Sequence, residues 1–110
     1  MKKGNNELSR FFKSVDPRKV ILLSHDPPYG TKLDLIRDRR SPRYGEHLGD
    51  FVIKKFAKKY QPLFWACGNI HESRGIARLE KTVVANTGYG HDGYAALIEL
   101  PKLRVKMVKI

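Results

Sequence analysis

Short apolar runs, each halted by residues that cannot continue a strand, set the pattern of this chain. Leu63–Cys67 is unbroken, carries two aromatics and lies between Pro62 and Gly68. It is short for a helix and fits a strand buried on both faces. Val20–Leu23 is a second such run, stopped by Ser24-His25-Asp26-Pro27-Pro28. Helical spacing appears twice. In Asn5–Ser14, Leu8, Phe11 and Phe12 share a face, Asn5 or Asn6 is placed to cap the start, and Asp16-Pro17 ends the segment. In His47–Tyr60, Leu48, Val52, Phe56 and Ala57 fall opposite Lys54, Lys55, Lys58 and Lys59. After Gly75 the pattern is β throughout. Strands are expected at Ile76–Leu79, Lys81–Ala85 and Tyr94–Leu100, with an alternating last strand through Leu103, Val105 and Met107. Thr31–Glu46 is polar and irregular, and reads as a long loop that is either solvated or in contact with an anion.

This order, strands interleaved with helices, predicts an α/β fold in one domain spanning residues 1–110. Each of the two apolar strands ends beside a histidine, His25 in one and His71 in the other. Were the strands neighbours, both imidazoles would reach one crevice at the carboxyl ends, where α/β sheets place ligands. Asn69, two residues before His71, offers an amide oxygen to the same side. Imidazole and amide oxygen are both ligands for divalent metals.

Composition narrows the classes. No run approaches the ~18 apolar residues of a membrane span, and Met1–Glu7 lacks the apolar segment of a signal peptide. The one cysteine, Cys67, lies inside an apolar run. It reads as a buried small hydrophobe, consistent with a reducing cytoplasm. The charge is 22 Lys and Arg against 11 Asp and Glu, net +11. Such a surface suits an anionic partner, a phosphate ester or nucleic acid. For nucleic acid the candidates are Arg37–Arg43 and the lysine face of the second helix, although no aromatic residues interleave with those lysines to stack bases.

Four segments in order resemble calcineurin-like metallophosphoesterases. Ser24-His25-Asp26-Pro27-Pro28-Tyr29-Gly30 is similar to the family's histidine segment, and His47-Leu48-Gly49-Asp50 to its His-x-Gly-Ser/Asp helix start. Gly68-Asn69-Ile70-His71-Glu72-Ser73 resembles Gly-His-x-His-Glu, and Asn86-Thr87-Gly88 resembles Asn-Pro-Gly. The likeness runs from about Lys19 to Leu100. It implies the carboxyl-terminal half of a β-sandwich flanked by helices. It also implies hydrolysis of a phosphomonoester or phosphodiester by a water that two divalent metals (Mn, Fe, Zn or similar) activate ~4 Å apart.

Carried over by position, His25, Asn69 and His71 are the implied metal ligands. Tyr29, Glu72 and Arg74 are the implied substrate or outer-sphere residues, with Glu72 placed to orient His71 or to pair with Arg74. The sequence departs from the family twice. Asn69 stands where the family has histidine. The opening Asp-x-His, Gly-Asp and Gly-Asn-His-Asp/Glu segments, which carry the carboxylates and the acid–base histidine, do not occur in their places. The expected partner is therefore a chain bearing that half, or a second copy. Val20–Leu23 or Leu63–Cys67 is then expected to present an unpaired apolar edge. Two other readings stand beside the enzyme: a non-catalytic or regulatory remnant of the fold, and a basic nucleic-acid-binding module.

Overall fold

Hydrogen bonding gathers the apolar runs into a single mixed sheet. The computed structural model describes residues 2–110, with side chains from residue 7 onward. In chain order the elements are α1 (Lys2–Ser14), β1 (Ile21–Leu23), α2 (Val52–Tyr60), β2 (Phe64–Cys67), β3 (Gly75–Leu79), β4 (Thr82–Asn86), β5 (Tyr94–Glu99) and β6 (Arg104–Lys109). The main sheet has the order β1-β2-β4-β3. β1 and β4 both run parallel to β2, and β3 returns antiparallel to β4. β5 and β6 form a separate antiparallel pair. The protein is thus mixed α/β, with two sheets and two α-helices among the described residues. Among those residues no helix is long and apolar enough to cross a membrane.

Register explains the core. Leu22, Trp65 and Val84 sit side by side across β1, β2 and β4. They cluster with Leu33, Ala57, Cys67 and Leu79, and with Ile53 and Ala77 at the margin. Ile53 and Ala57, four apart, carry one face of α2 to the sheet while Lys55, Lys58 and Lys59 stay wet and Lys54 is half-buried. Trp65 is buried, and its indole N–H donates to Ser24 Oγ at 2.7 Å, so burial does not strand that donor.

Several expectations need correction. The second helix starts at Val52, not His47. Residues 47–50 are extended because they are tied to the loop after β1: Asp50 N donates to Pro27 O at 2.7 Å, Tyr29 N to Asp50 O at 3.0 Å. Asp50 Oδ1 then accepts from Ile53 N at 2.6 Å, so the carboxylate satisfies an orphan donor of the first turn. Helix α1 begins at Lys2, ahead of Asn5, and the capping expected of Asn5 and Asn6 lies outside the described side chains. Strand β4 covers Thr82–Asn86 instead of Lys81–Ala85, because Glu80 turns with φ 56° and the pairing resumes only at Thr82. Of the two strands expected to present an edge, β1 does so and β2 is interior; β3 is the sheet's other edge.

Thr31–Glu46 is irregular, as expected, yet it is not simply a solvated loop. Leu33, Asp34 and Ile36 are buried, and Leu35 bridges His47. Periodicity missed this segment because its burial comes from being folded over the sheet, not from membership of an element.

Candidate functional site at the carboxyl ends of β1, β2 and β4

Backbone bonds stitch together the three strand ends. Ser24 N donates to Ala66 O, Gly68 N to His25 O and Thr87 N to Cys67 O, each at 3.0 Å. The loops that follow therefore leave the sheet side by side. Between them lies an open cavity of about 510 Å³ lined by residues that include His25, Asn69, His71, Thr87 and Tyr89. The parallel β1–β2 pairing brings His25 and His71, 46 positions apart in sequence, to one crevice. This is the arrangement expected at the edge of an α/β sheet.

Asn69 adopts φ 69°, in the left-handed region. Asparagine tolerates that conformation better than most non-glycine residues, so the sharp exit from β2 suits the residue found there. Its Nδ2 donates to Asp26 Oδ1 at 2.7 Å. His71 opens a short 3-10 turn, His71–Ser73, and stacks on Tyr89 with centroids 4.8 Å apart and planes 9° apart. Asp92 Oδ2 lies 3.9 Å from its Nδ1, too far for a hydrogen bond.

Asp26, Asp92 and Tyr89 are site neighbours that sequence reasoning missed. Asp26 was legible as the residue after His25. Asp92 and Tyr89 reach the site only through the fold of the loop after β4.

The other sequence-predicted residues fall elsewhere. Glu72 Oε2 accepts from the backbone N–H of Arg37 and Asp38, at 3.3 and 3.4 Å, and so steadies the long loop instead of orienting His71. Arg74 forms no ion pair with Glu72 among the described residues. Its guanidinium lies 3.8 Å above the Tyr94 ring and donates to His71 O at 3.0 Å, holding the backbone of that turn. Tyr29 is exposed and meets His47 and Phe51 edge-on, with centroids 6.0 Å away in both cases.

Two buried polar side chains frame the site. Asn86 ends β4 and is wholly buried. Its Nδ2 faces Leu33 O, Ile70 O and Ser73 O at 2.8, 2.9 and 3.1 Å, and its Oδ1 accepts from Gly88 N at 2.8 Å. It thereby fixes both ends of the His71 turn. Asp34, also wholly buried, accepts from Gly30 N, Thr31 N, Gly49 N and His47 Nδ1 at 2.9, 3.0, 2.9 and 2.6 Å. Four donors saturate its lone pairs. His47 is therefore not an inert element start, since its ring locks the loop after β1 to the segment before α2. Cys67, beneath the cavity, has its thiol pushed up to about 12 by burial and then by the charge of Asp26. Such a thiol stays protonated and unreactive.

The implied metals can be tested against this donor set. The cavity offers His25, His71 and the amide of Asn69, whose nitrogen is engaged by Asp26. Among the described residues no group of three or more His, Cys, Asp or Glu side chains is arranged to hold a metal ion. Two imidazoles and an amide leave a pair of dications without the negative ligands they need. The residues of this chain alone do not fit a dinuclear centre.

No known family's sequence profile matches the chain. One relative, the uncharacterized protein MJ1162 of Methanocaldococcus jannaschii, is 33% identical over 81 residues, covering 74% of this chain and 35% of that protein. A solved crystal structure superposes with a TM-score of 0.71 at 24% identity, across 92% of this chain and 37% of the other. At that identity the likeness shows the fold alone. The chain spans about a third of the length of each protein.

Proposed function

We propose that this chain is the carboxyl-terminal portion of a calcineurin-like metallophosphoesterase domain, and that it contributes His25 and His71 to a site for hydrolysis of a phosphate ester. One observation carries the reading: His25 and His71 follow the parallel neighbours β1 and β2 and line one cavity with Asn69. The four motifs that resemble the family all lie on loops beside this sheet end or on the segment that Asp34 fastens to it. Net charge +11 favours an anionic substrate. The carboxylates such a centre needs would lie outside the span described, which matches about a third of each of the two proteins it resembles.

The test is chelator-sensitive hydrolysis of bis(p-nitrophenyl) phosphate with Mn²⁺. It is measured on the chain co-expressed with the portion of the M. jannaschii relative outside the matched span, with His71→Ala beside it. Hydrolysis that EDTA abolishes and His71→Ala lowers about a hundredfold or more supports the proposal. An assembled pair that neither binds Mn²⁺ by calorimetry nor turns over ends it.

A second reading has its own support. The bond from Asn69 to Asp26 and the missing donors suit a remnant of the fold that keeps the cavity and has lost the metals. That reading expects assembly without Mn²⁺ binding. The nucleic-acid reading rests on charge alone: Arg40 and Arg43 stay exposed beside Asp38 and Glu46, while Arg37 Nε donates to Ser73 Oγ at 3.0 Å.

A further inference from the structure

The groove beside α2 has no part in the site at the strand ends. It is lined by Phe51, Val52, Lys55, Phe56 and Lys59, a stripe at helical spacing, and by Ser9 of α1. Its volume is about 280 Å³. Small-molecule sites span ~300–1,000 Å³, so this one suits an anchoring side chain or two better than a whole cofactor. A row of near-parallel rings ties the helices together next to it. Phe12 lies 4.8 Å from Tyr60, and Tyr60 6.3 Å from Phe56, between centroids, with planes 7° apart in both pairs. The apolar floor is therefore preformed. The rim is cationic. Lys55 and Lys59, four apart, share a helix face, and neither joins an ion pair among the described residues. Lys59 Nζ lies 5.3 Å from the Tyr60 ring centroid, which sets its stem along the aromatic row. Helix α2 has four lysines and no acidic residue. Like charges at that spacing are unfavourable to a helix, and an anionic ligand relieves them.

We propose that this groove docks an acidic peptide segment of a partner protein, with an aliphatic side chain or two seated among Phe51, Val52 and Phe56 and flanking carboxylates on Lys55 and Lys59. Charge complementarity selects the occupant: the chain is net +11, and no carboxylate lines the groove among the described residues. The same charge argues against a second copy of this chain. Ring exposure separates a peptide from nucleic acid. Successive bases stack on successive exposed rings. Of the two rings here only Phe51 is widely open, at 66%, while Phe56 is half-buried. None of these residues lines the cavity of His25 and His71, so the groove serves whether or not that cavity binds metal.

The probe is a fluorescein-labelled peptide with two adjacent leucines in a run of glutamates, titrated with the full chain in EDTA and read by fluorescence anisotropy. Saturable binding is expected, at least about tenfold weaker at about 0.5 M than at about 0.05 M salt. Lys55→Glu should weaken it about tenfold or more, and Phe51→Ser about fivefold or more. Both positions are exposed, so folding tolerates the changes. Arg40→Glu, on the long loop, leaves binding unchanged. A second peptide with serines in place of the leucines tests the anchor without altering the chain, and should bind about tenfold more weakly or worse. Absence of saturable binding overturns the proposal. So does a serine peptide that binds as well as the leucine one, or a Lys55→Glu chain that binds as well as the parent. An oligothymidylate, or vesicles of phosphatidylcholine and phosphatidylserine, bound more tightly than the peptide and with the same sensitivity to Lys55→Glu, overturns it in favour of that anion.

Discussion

Asn86 gives the sharpest test of how the site is held. Replacing it with alanine removes a side chain whose two N–H protons serve three buried carbonyls and whose oxygen serves Gly88 N. At least two donated bonds and one accepted bond are lost, each contributing about 1 kcal/mol net. The groups left behind are enclosed, since Asn86 is fully buried, and each unsatisfied group adds a further desolvation cost. The sum is about 3–5 kcal/mol, a large share of the 5–15 kcal/mol typical of a whole domain. Asn86→Asp is the informative partner. It keeps the shape and the bond to Gly88, but sets a carboxylate oxygen against Leu33 O, Ile70 O and Ser73 O, and should cost at least as much. Urea denaturation followed by the fluorescence of buried Trp65 measures both variants. If either lies within about 1 kcal/mol of the parent, the three-carbonyl clasp is not what holds the His71 turn.

Three further outcomes are expected. Asp34→Asn places an amide N–H₂ against backbone N–H donors, which should destabilise the chain by about 2–4 kcal/mol and shift the ¹⁵N resonances of the His47 ring; an unchanged melt with unchanged resonances would count against the dyad. In Gly49→Ala the new Cβ would come within 2.4 Å of Pro27 O and 2.8 Å of Pro28 C, both backbone, so a loss of about 2–3 kcal/mol is expected, and a melting temperature equal to the parent's would show that the loop yields. Cys67, raised from an ordinary 9.0 to about 12, keeps its proton in the fold while the unfolded thiol ionises. Its contribution is therefore intact below about pH 9 and lost as pH rises towards 12. Cys67→Ala should flatten that part of the alkaline decline, and a disulfide reagent at pH 8 should label the native thiol only as fast as the chain unfolds.

Much of the local architecture can be read from the residue pattern, because burial and periodicity act through neighbours in sequence. The five residues Leu63–Cys67 are apolar without interruption, and the strand found there, β2, is interior with neighbours on both sides. The lysines of α2 oppose its apolar positions, and the observed helix buries Ala57 while Lys55, Lys58 and Lys59 stay exposed. His25 and His71 stand out because each follows a strand at a point where the chain must turn. Where sequence reasoning failed, the cause was a long-range bond that local pattern does not encode. His47 reads as a helix start until Asp34, thirteen residues earlier, draws it into an extended segment. Glu72 reads as a partner of His71 or Arg74 until the long loop presents two backbone donors from the other side. The residues themselves thus determined which segments are strands and helices, and which imidazoles stand at strand ends. Only the tertiary structure decided that β1 lies at an edge and β2 inside, that Asp92 and Tyr89 flank His71, and that Asn86 and Asp34 are the fixed points. Those outcomes depend on which strand lies beside which, and on the need of every buried donor and acceptor to find a partner far along the chain.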